Sequence, residues 1–134
     1  MLYFAYGSNL HQEQMKRRCS GCKYLNKYIL QDYRLTFRSE LCVADIEYKK
    51  GFSVQGALFE ITEKDELCLD KYEDFPILYK KYYFYYYGKK VMTYTMVKKS
   101  PFKFPTERYL NVVKRGYRDC KLNEKYLKKG LQGS

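Results

Sequence analysis

Residues 79–98 read YKKYYFYYYGKKVMTYTMVK. Aromatic and β-branched residues fill both halves of the run, and Gly88-Lys89 lies between them. Such side chains suit a pleated, half-buried surface, and a glycine between two runs of this kind marks a chain reversal. The stretch predicts two antiparallel strands and places a sheet at the centre of the fold. Its tyrosines are read first as structural residues.

Upstream, EKDELCLDKYE (63–73) predicts a helix with Thr62 as N-cap and with Asp65 and Glu66 near its positive end. Leu67 and Leu69 give it a loose apolar face that Tyr72 extends, and Pro76 prevents it from running on. Downstream, Pro101 to Pro105 read as a loop, and the chain from Thr106 onward as helical, divided near Gly116 to Leu122. Towards the N-terminus, YILQDYRLTFRS (28–39) mixes polar and apolar residues as a half-buried strand does. Residues 42–62, CVADIEYKKGFSVQGALFEIT, read as a strand, a turn near Gly51 and a second strand. Gly56 inside that second strand points to a bulge or a close backbone approach. Residues 2–6 form a short buried strand ahead of Gly7, Ser8 and Asn9, and Gln12 to Arg18 a helical turn or two.

These elements add up to one α+β domain over residues 1–130, with 131–134 as a flexible tail. The expected architecture is a small mixed, mostly antiparallel β-barrel or strongly curved sheet with flanking helices. A chain of 134 residues that is 46% hydrophobic and 31% charged has material for one core. The absence of a long apolar run or a basic lead into one points to a soluble cytoplasmic protein with no membrane partner. Five cysteines at uneven spacing suit a reducing compartment. Cys19-x-x-Cys22 lacks the further ligands that zinc wants, so no metal is expected. With His11 the one histidine, a histidine-centred catalytic dyad has little to work with. The net charge of +11 invites a nucleic-acid reading. The lysines are spread along the chain, however, without an RNA-binding motif, and nucleic acid is not the expected partner.

Two features carry chemistry. Successive backbone N–H groups at Gly7-Ser8-Asn9 can form an anion-binding nest, and glycine permits close backbone approach there. Glu73 follows Asp70 by three residues and neighbours Tyr72, Phe75 and Pro76. An acid in an apolar crevice has a raised pKa and serves as general acid or base; the plain alternative is a solvated acid at a helix end.

Taken together, YFAYGSNL (3–10), RRCSG (17–21), VQGALFEI (54–61), LDKYEDF (69–75) and PFKFPTERYLNVVKRGYRDCKL (101–122) resemble the gamma-glutamylcyclotransferase superfamily, which includes AIG2-like proteins. The resemblance runs through nearly the whole chain in the family's order. It implies a small mixed barrel, a catalytic glutamate and release of 5-oxoproline from gamma-glutamyl compounds by a lyase-type cleavage of a C–N bond. By this resemblance Glu73 is the catalytic acid/base. Tyr6, Gly7, Ser8 and Asn9 form the substrate-holding loop, Tyr79 lines the pocket, and Tyr109 and Gly116 fall on the C-terminal pattern. Many members carry glycine after the catalytic glutamate, where this chain has Asp74.

The implied reaction needs no cofactor, because the substrate's own alpha-amine attacks its gamma-carbonyl. Tyr6 and Tyr79 are expected as pocket walls with hydroxyl donors, each with an alternative as a core tyrosine. The leaving group is either an amino acid or a side-chain amine, and a homodimer is left open. The competing readings are a non-catalytic member of the same fold that binds a metabolite or protein, and a basic nucleic-acid-binding domain.

Overall fold

The structure, a computed structural model, describes residues 1–133. Five strands form one sheet: β1 (Leu2–Ala5), β2 (Lys23–Arg38), β3 (Val43–Glu60), β4 (Tyr79–Tyr86) and β5 (Lys89–Met96). Four α-helices accompany them: α1 (Gln12–Arg18), α2 (Glu63–Tyr72), α3 (Glu107–Asp119) and α4 (Glu124–Gly130). The expected tail 131–134 extends beyond the described residues at Ser134; within it, the Leu131 N–H reaches the Leu127 carbonyl. None of the described helices is long and apolar enough to cross a membrane.

The strand order is β2-β3-β1-β5-β4. β1 runs parallel to β5, and every other neighbour is antiparallel. The sheet corrects the expected barrel or strongly curved sheet: it is open, with β2 and β4 as its two edges. Side chains, not backbone hydrogen bonds, meet between those edges. Tyr28 stacks on Phe84 with ring centroids 5.5 Å apart, and Tyr33 approaches Tyr82 at 5.4 Å. Rings of this size hold two backbones farther apart than the roughly 4.8 Å of a β-ladder.

The expected turn near Gly51 is also corrected. β3 continues through it for 18 residues, and the reversal lies instead at residues 39–42, where Ser39 and Cys42 take positive φ. Gly51 (φ +88°) faces Asp32 (φ +63°), whose carboxylate accepts its N–H at 3.0 Å. The two strands deviate together next to a register shift between Gln31 and Tyr33, so the irregularity stays within the ladder.

β1, at the middle of the sheet, is buried along its whole length, as a central strand with both faces covered must be. Gly56 on β3 makes this possible: a Cβ there would lie 2.2 Å from the Ala5 carbonyl oxygen. The Phe4 ring occupies the space beside it, edge-on to Tyr28 and Phe84. On the other face Tyr3 packs against Phe59 and Tyr94. α2 begins at a reciprocal cap in which Thr62 Oγ1 accepts the Asp65 N–H and Asp65 accepts the Thr62 N–H. It ends at Tyr72, leaving Glu73 as its C-cap. α3 lies against a single 3-10 turn, Ser8–Leu10, with Gly116 facing Leu10.

Candidate functional site

Where β1 leaves the sheet, the chain enters that 3-10 turn at Gly7. The first N–H groups of such a turn have no acceptor within it. Gly7 itself has φ −127°, so packing is what demands glycine: a Cβ would sit 3.0 Å from Ala44 Cβ and 3.2 Å from the Tyr109 hydroxyl. This loop, the end of α2 and the inner ends of β4 and β5 enclose a narrow cavity. It is lined by Tyr3, Tyr6, Gly7, Ser8, Asn9, Ala44, Glu73, Tyr79, Tyr94 and Tyr109. Tyr6, Gly7, Ser8, Asn9, Glu73, Tyr79 and Tyr109 meet there, whereas Gly116 packs against Leu10 outside it.

Glu73 is half-buried as a residue, with its carboxyl turned into the cavity. Burial pushes that carboxyl up from 4.5 to about 7, against the opposing pull of the Arg18 guanidinium. The helix end that carries it is fixed from below. Asp70 accepts from the Tyr94 hydroxyl at 2.6 Å and from Lys81 Nζ at 3.0 Å, and Lys81 also reaches Glu66 at 2.8 Å. Asp70 is therefore engaged with the sheet and does not share a site face with Glu73. Asp74 turns away as well; it is exposed and lines a neighbouring surface groove with Leu41, Ile77 and Phe102. Its φ of +54° lies in the left-handed region where glycine is favoured and aspartate is tolerated, so the backbone there accepts either residue.

The tyrosines divide by what their hydroxyls do. Tyr6 donates to the Tyr94 carbonyl at 2.7 Å and Tyr79 to the Ala44 carbonyl at 2.5 Å. Their protons are committed, so they offer a ligand lone pairs rather than the donors expected of them. Tyr109 accepts the Ala44 N–H at 3.1 Å, and Tyr3 accepts from Asn9 Nδ2 at 2.9 Å. Each of these two keeps a proton that can be given to a ligand. Burial raises the pKa of all four, so they stay neutral.

Sequence reasoning missed Tyr3, Tyr94, Ala44 and Arg18. Ala44 acts only through its backbone, which no side-chain pattern reveals. Tyr3 and Tyr94 looked like ordinary strand aromatics. Arg18 lay in a quoted motif without a role; here its Nη1 donates to Asn9 Oδ1 at 2.6 Å, and its guanidinium carbon lies 3.1 Å from the Tyr72 ring centroid. Cys19 is buried, and burial pushes its thiol up to about 12, the opposite of an activated nucleophile.

A family model described as gamma-glutamyl cyclotransferase, AIG2-like, matches residues 3–112. A solved structure named gamma-glutamyl cyclotransferase is 25% identical, with a TM-score of 0.80 over 96% of this chain and 84% of that one. A human protein described as uncharacterized, loc79017, is 26% identical with the same TM-score and the same coverage of 96% and 84%. YkqA from Bacillus subtilis, 20% identical, shares the fold at a TM-score of 0.80 over 96% of this chain and 52% of its own. No curated protein matches significantly in sequence.

Proposed function

Because the chain belongs to the AIG2-like gamma-glutamyl cyclotransferase family, we propose that it converts a gamma-glutamyl compound into 5-oxoproline and a free amine or amino acid. The observation that carries this reading is the Glu73 carboxyl, enclosed beside the Gly7–Asn9 turn and raised to about 7.

In this reaction the substrate's alpha-amine attacks its own gamma-carbonyl carbon. The new C–N bond closes a five-membered lactam, and the original amide C–N bond breaks. Glu73 takes a proton from the attacking nitrogen and returns one to the departing nitrogen, so the proton count closes. A carboxyl near neutrality suits both transfers better than one at about 4.3. Because nucleophile and electrophile belong to one molecule, holding the chain folded supplies most of the advantage, with effective molarities on the order of 10⁵–10⁸ M in favourable systems. The tyrosine walls impose that folded shape. Tyr3 and Tyr109 supply neutral hydroxyl donors, and the turn at Gly7, Ser8 and Asn9 offers backbone N–H groups to an anionic oxygen of the substrate or of the developing tetrahedral centre. Nucleophile and leaving group both come from the substrate, so the reaction as written consumes no cofactor.

The test is to incubate the protein with a panel of gamma-glutamyl dipeptides and gamma-glutamyl amines and to follow 5-oxoproline by mass spectrometry, beside Glu73→Gln. Product with the wild type and none with the variant supports the reading, and the fastest substrate identifies the leaving group. No product from any member of the panel, with both proteins folded, overturns it in favour of a binding-only member of the family.

A further inference from the structure

The cavity around Glu73 encloses about 20 Å³, enough for one water-sized sphere and several times too small for a gamma-glutamyl group. The cavity is partly open to solvent, and admitting such a group means widening its mouth. The inner walls are pinned: Tyr6, Tyr79 and Tyr94 each donate a hydrogen bond of 2.7 Å or less, and Tyr3 and Tyr109 each accept one. Tyr72 stands just outside this lining, against Ser8. Tyr72 is 44% exposed, and its hydroxyl meets Ser8 Oγ at 3.5 Å, the outer limit of a hydrogen bond. It stands at the last turn of α2, directly before Glu73, and its hydroxyl is near enough to Tyr79 and Tyr109 to act on both electrostatically.

Against the Tyr72 ring lies the Arg18 guanidinium, held by Asn9 Oδ1 at 2.6 Å. Among the described residues Arg18 has no carboxylate at ion-pair distance. The ring of Tyr72 thus covers a cation at the rim of the cavity, and one of its nitrogens is already oriented by a cavity-lining side chain. An arginine in that setting matches a carboxylate in geometry and charge.

We propose that Tyr72 is a movable wall at the mouth of the site and that Arg18, uncovered as Tyr72 swings out, binds the alpha-carboxylate of the substrate. Arg18 is then the residue that selects gamma-glutamyl compounds over analogues without that carboxylate, and this rests on the cyclotransferase reading above. The swing replaces a cation–ring contact with a charge-assisted pair, so an anionic ligand opens the wall and a neutral one does not.

The experiment separates this from turnover by measuring binding in the Glu73→Gln background. 5-Oxoproline and pyrrolidin-2-one, the same ring without the carboxylate, are titrated calorimetrically into Glu73→Gln and into Glu73→Gln/Arg18→Gln. The expected result is a preference of about 10- to 100-fold for 5-oxoproline that falls to near unity when Arg18 is replaced and is partly rescued by Arg18→Lys. Tyr72→Ala should speed association of 5-oxoproline several-fold. Equal affinity for the two rings with Arg18 present, or a preference that survives Arg18→Gln in a folded protein, overturns the assignment of the carboxylate. An unchanged association rate in Tyr72→Ala overturns the movable wall. Failure of the substrate panel above, with the ring preference intact, leaves Arg18 as an anion-selecting residue of a binding protein and removes only the catalytic reading.

Discussion

Two buried carboxylate sites lie a few residues apart in space, and they are built in opposite ways. On β3, Asp45 is fully buried but accepts from Lys99 at 2.9 Å and from the Met96 N–H at 2.8 Å, with Arg38 Nε in ion-pair range at 3.4 Å. Glu47 beside it pairs with both Arg38 and Arg34. Burial alone pushes Glu47 up, yet the hydrogen bonds and charges of the two arginines outweigh it and hold the carboxyl below its ordinary value. Glu73 has one cation nearby, held elsewhere by Asn9 and Tyr72, and burial prevails. On the function proposed above, the difference separates a scaffold from a reactive centre. A compensated carboxylate stays ionised and rigid, and an uncompensated one titrates where chemistry needs it. The two are joined through Ala44, whose backbone holds Tyr79 and Tyr109 while its neighbour Asp45 anchors the strand.

The sharpest way to break this contrast is to remove each acid in turn. Glu73→Gln should lower kcat/KM for 5-oxoproline formation by about 10²–10⁴-fold without unfolding the protein. Asp45→Ala should do the reverse, leaving buried Arg38 with Glu47 alone and the Met96 N–H without its acceptor, and costing about 1–3 kcal/mol in urea unfolding. Equal stability loss in both variants would erase the distinction.

The pH dependence of stability sharpens it further. Glu73 has a folded-state pKa of about 7 against an ordinary 4.5, so between those values the folded state binds more protons than the unfolded one. Its contribution is therefore lost as pH rises through this window, on the order of 3 kcal/mol in full. Glu73→Gln should match the wild type near pH 4 and exceed it at pH 8, as read by unfolding midpoints. In the wild type, kcat/KM should fall below about pH 7 as Glu73 takes up its proton, and Arg18→Gln should move that limb to higher pH by removing the opposing cation. The smallest effect expected is at the start of the helix that carries Glu73, where Thr62→Ala should cost about 1 kcal/mol and leave the rate profile in place.

Much of the site was legible because its signals are local. Thr62 and Asp65 make a cap within one turn of chain, and the hairpin at 79–98 announces itself by composition and a glycine. Glu73 and the Gly7–Asn9 turn were recognisable as short motifs. Gly51 misled for an equally local reason: positive-φ glycine signals a reversal when seen alone, and only its pairing with Asp32 across the ladder shows that the strand runs on. The barrel was misjudged because closure depends on two edges far apart in sequence, and the aromatic rings between them decide against it.

The chain's own chemistry was thus enough for most element types and the helix cap, while Glu73 and the Gly7–Asn9 turn stood out only through the family resemblance. Long-range packing decided the strand order, the uncompensated burial of Glu73, the backbone role of Ala44 and the seat of Arg18 beneath Tyr72. The physical reason is that desolvation and charge compensation depend on everything within a few ångströms of a group, and those neighbours come from β1, β3, β4, β5, α1 and α3 at once.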